Sequence, residues 1–386
     1  GVGARVARAS GGFPPLTVAS SGAPPAPIVI DYAKSFFSTH NRRYDIVISE
    51  PSNPWVSGVS SLFTQEFYRR IRTHLNPGGV LVQWFQLYEI DTSLVASMLG
   101  ALGGTFPHYA IFAASDHDLL VVASETPLAL PLTAKAFEQP GLAREFFNVH
   151  VLSGGDLDAR YIGSRESLEP LFLTYGMRPN SDYYPVLDLN AARYRFTERS
   201  AIDVVGLVNL PVPVLEMLEP PRGRLQVNPV FDGAADFERV ENARVATYVR
   251  DYLVSDKPPG PRGTSSQLQK DLEIVKLRLL DCRSAREEDV WLHSLWRLAA
   301  NINASLPAEQ AGMVWKRVTD APCFGGLEKY QRHWIELFRA VGARDAATMA
   351  ELAGQLLAGA YELNAESREY LWMAGLTGYL AAGDKA

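Results

Sequence analysis

Cysteine is scarce in this 386-residue chain, and the two present, Cys282 and Cys323, have no close partner and no flanking histidine pattern. A disulfide framework and a thiolate zinc site are both disfavoured, and reduced thiols in a cytoplasmic chain are the expectation. No stretch reaches the ~18 uninterrupted apolar residues of a membrane span. Nor does a charged start followed by an apolar run open the chain, as a secretory leader would. A basic stripe is also missing: 37 Lys and Arg against 43 Asp and Glu leave a net charge of −6, with the cations scattered. Nucleic acid is therefore not expected as a partner. The densest cationic run, Arg69, Arg70 and Arg72, reads as a solvated helix face. No Ser/His/Asp order and no cluster of metal-ligating residues stands out, so no metal is expected, and the lone His108 and His117 read as structural or exposed.

Apolar residues make up 47% of the chain, enough for a substantial core and more than one domain. The first 27 residues hold five Gly and five Pro with no sustained periodicity and no initial Met, which suggests a piece of a longer protein. Residues 28–200 read as an α/β domain with an appended mixed segment, 201–264 as a Pro-rich connection with one helix near Phe237 to Leu253, and 265–386 as a helical domain.

The stretch from Tyr44 to Gln86 is the most informative. Tyr44 to Ser49 is a short β-branched run, with Glu50 directly after it and Pro51, Pro54 and Gly58 ending regular structure. Leu62 to Leu75 predicts an amphipathic helix, Asn76-Pro77-Gly78-Gly79 its stop and turn, and Val80 to Phe85 the next buried strand. This is a βαβ unit. Ligands of open α/β sheets sit beyond the carboxyl ends of the strands, so Glu50 and the loop to Gly58 should line a site.

Around that unit, Ile28 to Ile30 predicts a strand and Ala33 to His40 a short helix. Thr92 to Leu102 predicts a helix capped by Asp91 or Thr92 and ended by Gly103-Gly104. Tyr109 to Ala114 and Asp118 to Ser124 predict two strands about a Ser115-Asp116-His117 turn, giving a sheet of about five strands. Helical patterns dominate Thr133 to Arg195, and Asn180 to Asp188 reads as a turn feeding a short strand. Beyond Gln267 the pattern is helical, with breaks at Pro307, Gly325-Gly326, Gly342 and Gly383. The turns at Val341 to Ala346 and Ala382 to Ala386 resemble those of tetratricopeptide-like arrays, with an ordinary helical domain as the alternative.

Ser49-Glu50-Pro51-Ser52-Asn53-Pro54-Trp55, Leu62-Phe63-Thr64-Gln65-Glu66-Phe67-Tyr68 and Pro77-Gly78-Gly79 together resemble the spermidine synthase family of polyamine aminopropyltransferases. The loop is closest to that of bacterial spermidine synthase-like proteins, which often carry membrane segments before this domain. The resemblance covers about residues 28 to 195, with Asn180-Ser181-Asp182 matching a later N-T-D element. It implies a Rossmann-like fold of the methyltransferase type and transfer of an aminopropyl group from decarboxylated S-adenosylmethionine to putrescine. That donor is a co-substrate, and no tightly bound cofactor is implied.

By the same resemblance Glu50 takes the place of the catalytic aspartate, and Asn53 that of a second aspartate that holds the amine. Trp55, Gln86, Tyr88 and Asp182 are the further substrate-binding candidates. Asp31, Tyr32 and Ser49 fall on the nucleoside side, where Ala33-Lys34-Ser35-Phe36 matches an A-R/K-x-F pattern but Tyr32 replaces the acid that precedes it. A carboxylate suits position 50 because an alkylammonium has no lone pair and must lose a proton before it attacks carbon. Asn53 can accept a hydrogen bond but brings no charge to a diamine. The first strand, glycine-rich loop and ribose-binding acid of the family should precede Asp31, and each β-loop-helix unit takes about 25 to 30 residues. The Rossmann-like sheet is therefore expected to be incomplete at its start, and Gly1-Val2-Gly3 receives no cofactor role. Polyamine and nucleoside sulfonium are the expected small-molecule partners, a homodimer and a protein docked on the helical tail the expected macromolecular ones. Two other readings stay open: a catalytically impaired binding or scaffold protein, and a methyltransferase-like enzyme using S-adenosylmethionine itself. Membrane anchoring by segments upstream of Gly1 is a further expectation of the resemblance.

Overall fold

Tyr44–Ser49 forms β1, and its central Ile46, Val47 and Ile48 show why it is a strand: β-branched side chains fit a pleated surface. Val47 points into the core, whereas Ile46 and Ile48 are 59% and 69% exposed. The computed structural model describes residues 29–56, 58–130, 134–149, 151–219, 237–255, 257, 265–283 and 288–383. The readings at Gly1-Val2-Gly3, Ile28, Thr133, the prolines at 220, 221, 258, 259 and 261, and Asp384 to Ala386 lie outside the described residues.

Helix α1 (Ala33–Thr39) precedes β1, and α2 (Gln65–Thr73) links it to β2 (Leu75–Gln86). The two strands run parallel, so the expected βαβ unit is present. Its boundaries differ from the sequence reading. Thr64 accepts a hydrogen bond from the Phe67 amide and starts α2, while Val59–Phe63 forms a separate 3-10 turn that includes Leu62. At the other end Leu75 pairs with Tyr44, and Val80 with Ile46, so the Asn76 to Gly79 turn becomes a bulge within β2. Gly78 makes this bulge feasible with a φ of +76°, where a side chain would be strained.

Helix α3 (Thr92–Gly103) is capped by Asp91, which accepts from the Ser93 amide, and leads into the hairpin of β3 (His108–Ser115) and β4 (Asp118–Ser124). After α4 (Pro140–Asn148) and α5 (Gly154–Ala159), the short β5 (Tyr161–Ser164) adds to β3. The sheet is mixed, with order β1-β2-β4-β3-β5; only β1 and β2 are parallel. Five strands were expected, but β5 is one of them in place of the segment at Ile28 to Ile30, whose described residues Val29 and Ile30 are not in a strand. Four residues inside a helix-rich stretch carry little periodicity, and it is pairing with β3 that fixes them.

Helix α6 (Arg165–Leu173) is followed by α7 (Val186–Phe196), where a short strand was expected. The correction has a local cause: the Asn180 side chain accepts from the Leu187 amide, and Asp188 accepts from the Ser60 hydroxyl, which together hold the start of a helix. Short helices α8 (Asp203–Gly206) and α9 (Val214–Leu218) precede the long α10 (Glu238–Ser255), close to the expected Phe237 to Leu253.

Among the described residues the remainder is helical: α11 (Ser266–Val275), α12 (Glu288–Ser305), α13 (Ala308–Thr319), α14 (Lys329–Ala343), α15 (Ala346–Ala358) and α16 (Ala365–Ala381). Gly342 lies inside α14, and the break falls after it, at the left-handed Arg344 and the cap Asp345. A second correction concerns the cysteines. Cys282 and Cys323 form a disulfide, so they are not reduced thiols; their separation of 41 residues gave no local pattern to read.

Two clusters of buried side chains result, one beneath the sheet around Tyr68, Leu81 and Phe85, the other among the helices around Trp291, Trp315 and Phe338. Burying each such large side chain is worth about 1.5–3 kcal/mol. Polar ties join the two parts: buried Arg244 pairs with Asp156 at 3.5 Å. Arg239 donates to the Val208 and Ala304 carbonyls. Among the described residues, no helix is long and apolar enough to cross a membrane.

Candidate active site

The carboxyl ends of β1 and β2 lie side by side, with Ser49 opposite Gln83, and each strand delivers a candidate group just past its end. From β1 comes Glu50, exposed and, among the described residues, without a hydrogen bond or ion pair. The chain then turns, the Val56 amide donating to the Asn53 carbonyl at 2.9 Å, which holds the half-buried Asn53 and Trp55 beside the strand ends. From β2 comes Tyr88. Its phenol donates to the Asn53 amide oxygen at 3.4 Å, and its ring meets Trp55 edge to face at 6.4 Å.

Behind this pair the sheet is polar where it is most buried. Gln86, 2% exposed, donates to the Tyr88 carbonyl at 3.2 Å, so it positions Tyr88 from beneath. Gln83, fully buried, donates to the Ser49 carbonyl at 3.2 Å and fixes the backbone from which Glu50 projects. Gln83 was not singled out in the sequence, although a glutamine in the middle of the apolar run Val80 to Phe85 was a signal that could have found it.

Two charged neighbours stand beside this pair, and of these Arg195 escaped sequence reading. The Arg195 guanidinium, from the end of α7, lies 5.5 Å from the Trp55 ring centre and pairs with Glu89 at 3.8 Å. Glu89 has a φ of +53°, uncommon for a residue with a side chain, which turns the chain sharply after Tyr88. Partial burial pushes the Tyr88 phenol above its ordinary value, Asp118 and Glu89 add to the rise, and the hydrogen bond to Asn53 works against it. The edge of the sheet here therefore holds a neutral phenol among carboxylates.

The candidates for the nucleoside side stand at the start of α1. Asp31 accepts from the Tyr32 amide at 2.7 Å, and the Tyr32 ring is 83% exposed. One turn on, Lys34 pairs with Asp182 at 2.6 Å and ties α1 to the Asn180-Ser181-Asp182 loop. Glu66 secures that loop by accepting from the Asp182 amide and the Ser181 hydroxyl. Asn180, almost fully buried, donates to the Ser60 and Phe63 carbonyls. The Asp182 carboxylate is thus engaged with a lysine, whereas that of Glu50 is free. Among the described residues no hydrogen bond, ion pair or ring contact joins Asp31 or Tyr32 to Glu50, Asn53 or Tyr88, and no group of three or more His, Cys, Asp or Glu is placed to hold a metal.

No protein-family model matches the chain. Part of it is similar to polyamine aminopropyltransferases. It is 37% identical over 71 residues to polyamine aminopropyltransferase 1 of Pseudomonas aeruginosa, which covers 17% of this chain and 24% of that protein. It is 25% identical over 145 residues to the polyamine aminopropyltransferase of Pseudomonas syringae pv. tomato, covering 35% and 50% of the two. With the polyamine aminopropyltransferase of Desulforudis audaxviator the identity is 28% over 103 residues, covering 27% and 37%. The matched stretches span from about a quarter to half of these relatives.

Proposed function

We propose that the α/β part of this chain takes part in aminopropyl transfer from decarboxylated S-adenosylmethionine to a polyamine acceptor such as putrescine. The observation that carries this reading is the free Glu50 carboxylate at the end of a parallel strand, beside Asn53 and Tyr88, in a chain with partial similarity to polyamine aminopropyltransferases.

Glu50 binds the acceptor ammonium and removes a proton, which frees the nitrogen lone pair. That pair forms a C–N bond to the propyl carbon beside the sulfonium. The C–S bond breaks, its electrons neutralise sulfur, and methylthioadenosine leaves. Asn53 accepts a hydrogen bond from the amine, with its amide oxygen oriented by Tyr88. Trp55 and Tyr88 form an aromatic wall along which the methylene chain packs. Asp31, Tyr32 and Ser49 stand on the donor side.

A second reading draws on the Lys34–Asp182 pair, which occupies one candidate carboxylate, and on the neutral Asn53. Both weaken the attraction for a diamine and favour a catalytically impaired ligand-binding protein. The two readings separate in one assay of this chain with decarboxylated S-adenosylmethionine and putrescine. Transfer predicts putrescine-dependent methylthioadenosine release, reduced about 100-fold or more in Glu50→Gln. Saturable binding of both ligands without turnover favours the binding protein. Release of S-adenosylhomocysteine from S-adenosylmethionine itself would instead indicate methyl transfer.

A further inference from the structure

The helical part contains a cleft of about 510 Å³ that combines Trp and Tyr rings with polar and acidic side chains. Trp296 of α12, Tyr330 and Trp334 of α14, and Tyr361 from the loop before α16 line it, with the carboxylates Glu362 and Glu366 alongside. The rings form a connected set. Tyr361 lies 4.4 Å from Tyr330, Tyr330 meets Trp334 edge to face at 6.4 Å, and Trp334 and Trp296 both pack on Tyr370, at 6.0 and 5.6 Å. Trp334, 2% exposed, forms the floor and is backed by the buried Tyr370, while Tyr361 at 37% forms the mouth.

The charges at this cleft have one sign. Apart from His293, the ionisable carboxyl and basic side chains of its lining are the two glutamates. Two guanidiniums in neighbouring elements have partners outside the lining: Arg297 makes a bidentate pair with Asp271 while also acting electrostatically on Glu366, and Arg368 donates to the Leu363 carbonyl. The positive end of α16 is offset locally, because Asn364 accepts from the Ser367 amide and Glu366 lies in the first turn. Aromatic faces attract cations through the ring quadrupole, and a volume of this size lies in the range of small-molecule sites, about 300–1,000 Å³.

We infer that this cleft binds an alkylammonium group, its methylenes against the aromatic rings and its charge near Glu362 and Glu366. The site lies in the helical part and does not depend on the transfer reaction. The shared chemistry has two sources, a free diamine or a lysine side chain.

Calorimetry with putrescine, with Nα-acetyl-lysine amide and with the uncharged 1,4-butanediol tests it on the whole chain. Saturable binding of at least one amine and none of the diol is expected, and the tighter amine identifies the source. The double variant Glu362→Gln/Glu366→Gln should weaken that binding at least tenfold, as should Tyr361→Ala at the exposed mouth. Tyr361→Phe should retain it, since the ring remains. Binding that persists in Glu50→Gln separates this cleft from the α/β site. The inference is overturned if neither amine saturates, if the diol binds equally, if the cleft variants bind as the parent does, or if Glu50→Gln alone abolishes binding.

Discussion

The Tyr88 phenol and the Asn53 amide oxygen meet at 3.4 Å, joining the loop after β1 to the segment after β2. This contact closes the end of the parallel pair on a neutral group where a diamine would gain from an anion. Asn53→Asp should therefore strengthen putrescine binding several-fold, about 1 kcal/mol for a partly exposed charge pair. The new carboxylate would join Asp118 and Glu89 near Tyr88 and push its phenol further up. Calorimetry with putrescine and an ultraviolet titration of tyrosine, each relative to the parent chain, check both effects. An unchanged affinity would count against Asn53 as an amine ligand.

Tyr68 offers a test of stability against pH. Its ring is completely buried beneath the sheet, its hydroxyl has no hydrogen-bond partner, and burial holds the phenol well above its ordinary value of 10.0. A folded-state value raised in this way contributes stability that is complete below about pH 10 and is lost as pH rises beyond it, because the unfolded chain ionises first. Tyr68→Phe removes an unpaired buried hydroxyl, so at pH 7 it should be neutral or stabilising by about 1 kcal/mol. It should also flatten the alkaline loss of stability. Urea unfolding at pH 7 and at pH 10.5 measures the two effects, and a clear loss at pH 7 would contradict the first.

The Cys282–Cys323 bridge closes a loop between residues 41 apart, at the junction of α11 with the helices that follow. A cross-link over such a loop restricts the unfolded chain by about 4 kcal/mol in the chain-entropy picture. The double substitution Cys282→Ser/Cys323→Ser should lower unfolding stability by roughly 2–4 kcal/mol, and added reductant should destabilise the parent but not the variant. Thiol titration of the unreduced, denatured protein should find no free thiol. Two free thiols would show that the bridge does not form in solution.

What was legible in the sequence is what local pattern decides. β1, the β3–β4 hairpin and the Asp91 cap of α3 follow from β-branched runs, turn residues and a side chain two residues from its donor. α7 was misread because its start depends on Asn180 and Ser60, the latter 128 residues away from its partner Asp188. Glu50 and Tyr88 were named from the strand ends, and Asn53 from the resemblance of its loop. The Arg195–Glu89 and Lys34–Asp182 pairs were not, because each joins distant segments by charge alone. The aromatic cleft was invisible for the same reason, since its rings come from separate helices and one loop.

Gly342 shows how a residue read as a helix break has a different physical task. It sits in the last turn of α14, where a Cβ would come within 2.6 Å of Trp315 Cδ1, 2.7 Å of its Nε1 and 2.8 Å of Asn303 Oδ1. Those last two atoms form a buried hydrogen bond of 2.8 Å, and Asn303 also donates to the Phe338 carbonyl at 2.9 Å. A methyl group there must displace the indole, the amide or the helix backbone, all fully packed. The higher helix propensity of alanine, worth about 1 kcal/mol over glycine, acts in the opposite direction. Overpacking of a dense core costs about 1–3 kcal/mol, and disturbing a buried hydrogen bond adds to it. Gly342→Ala should therefore be destabilising overall by about 1–2 kcal/mol, with a shifted tryptophan emission as Trp315 moves. If the variant is instead more stable than the parent in urea, helix propensity outweighs packing at this site and the close approach relaxes without loss.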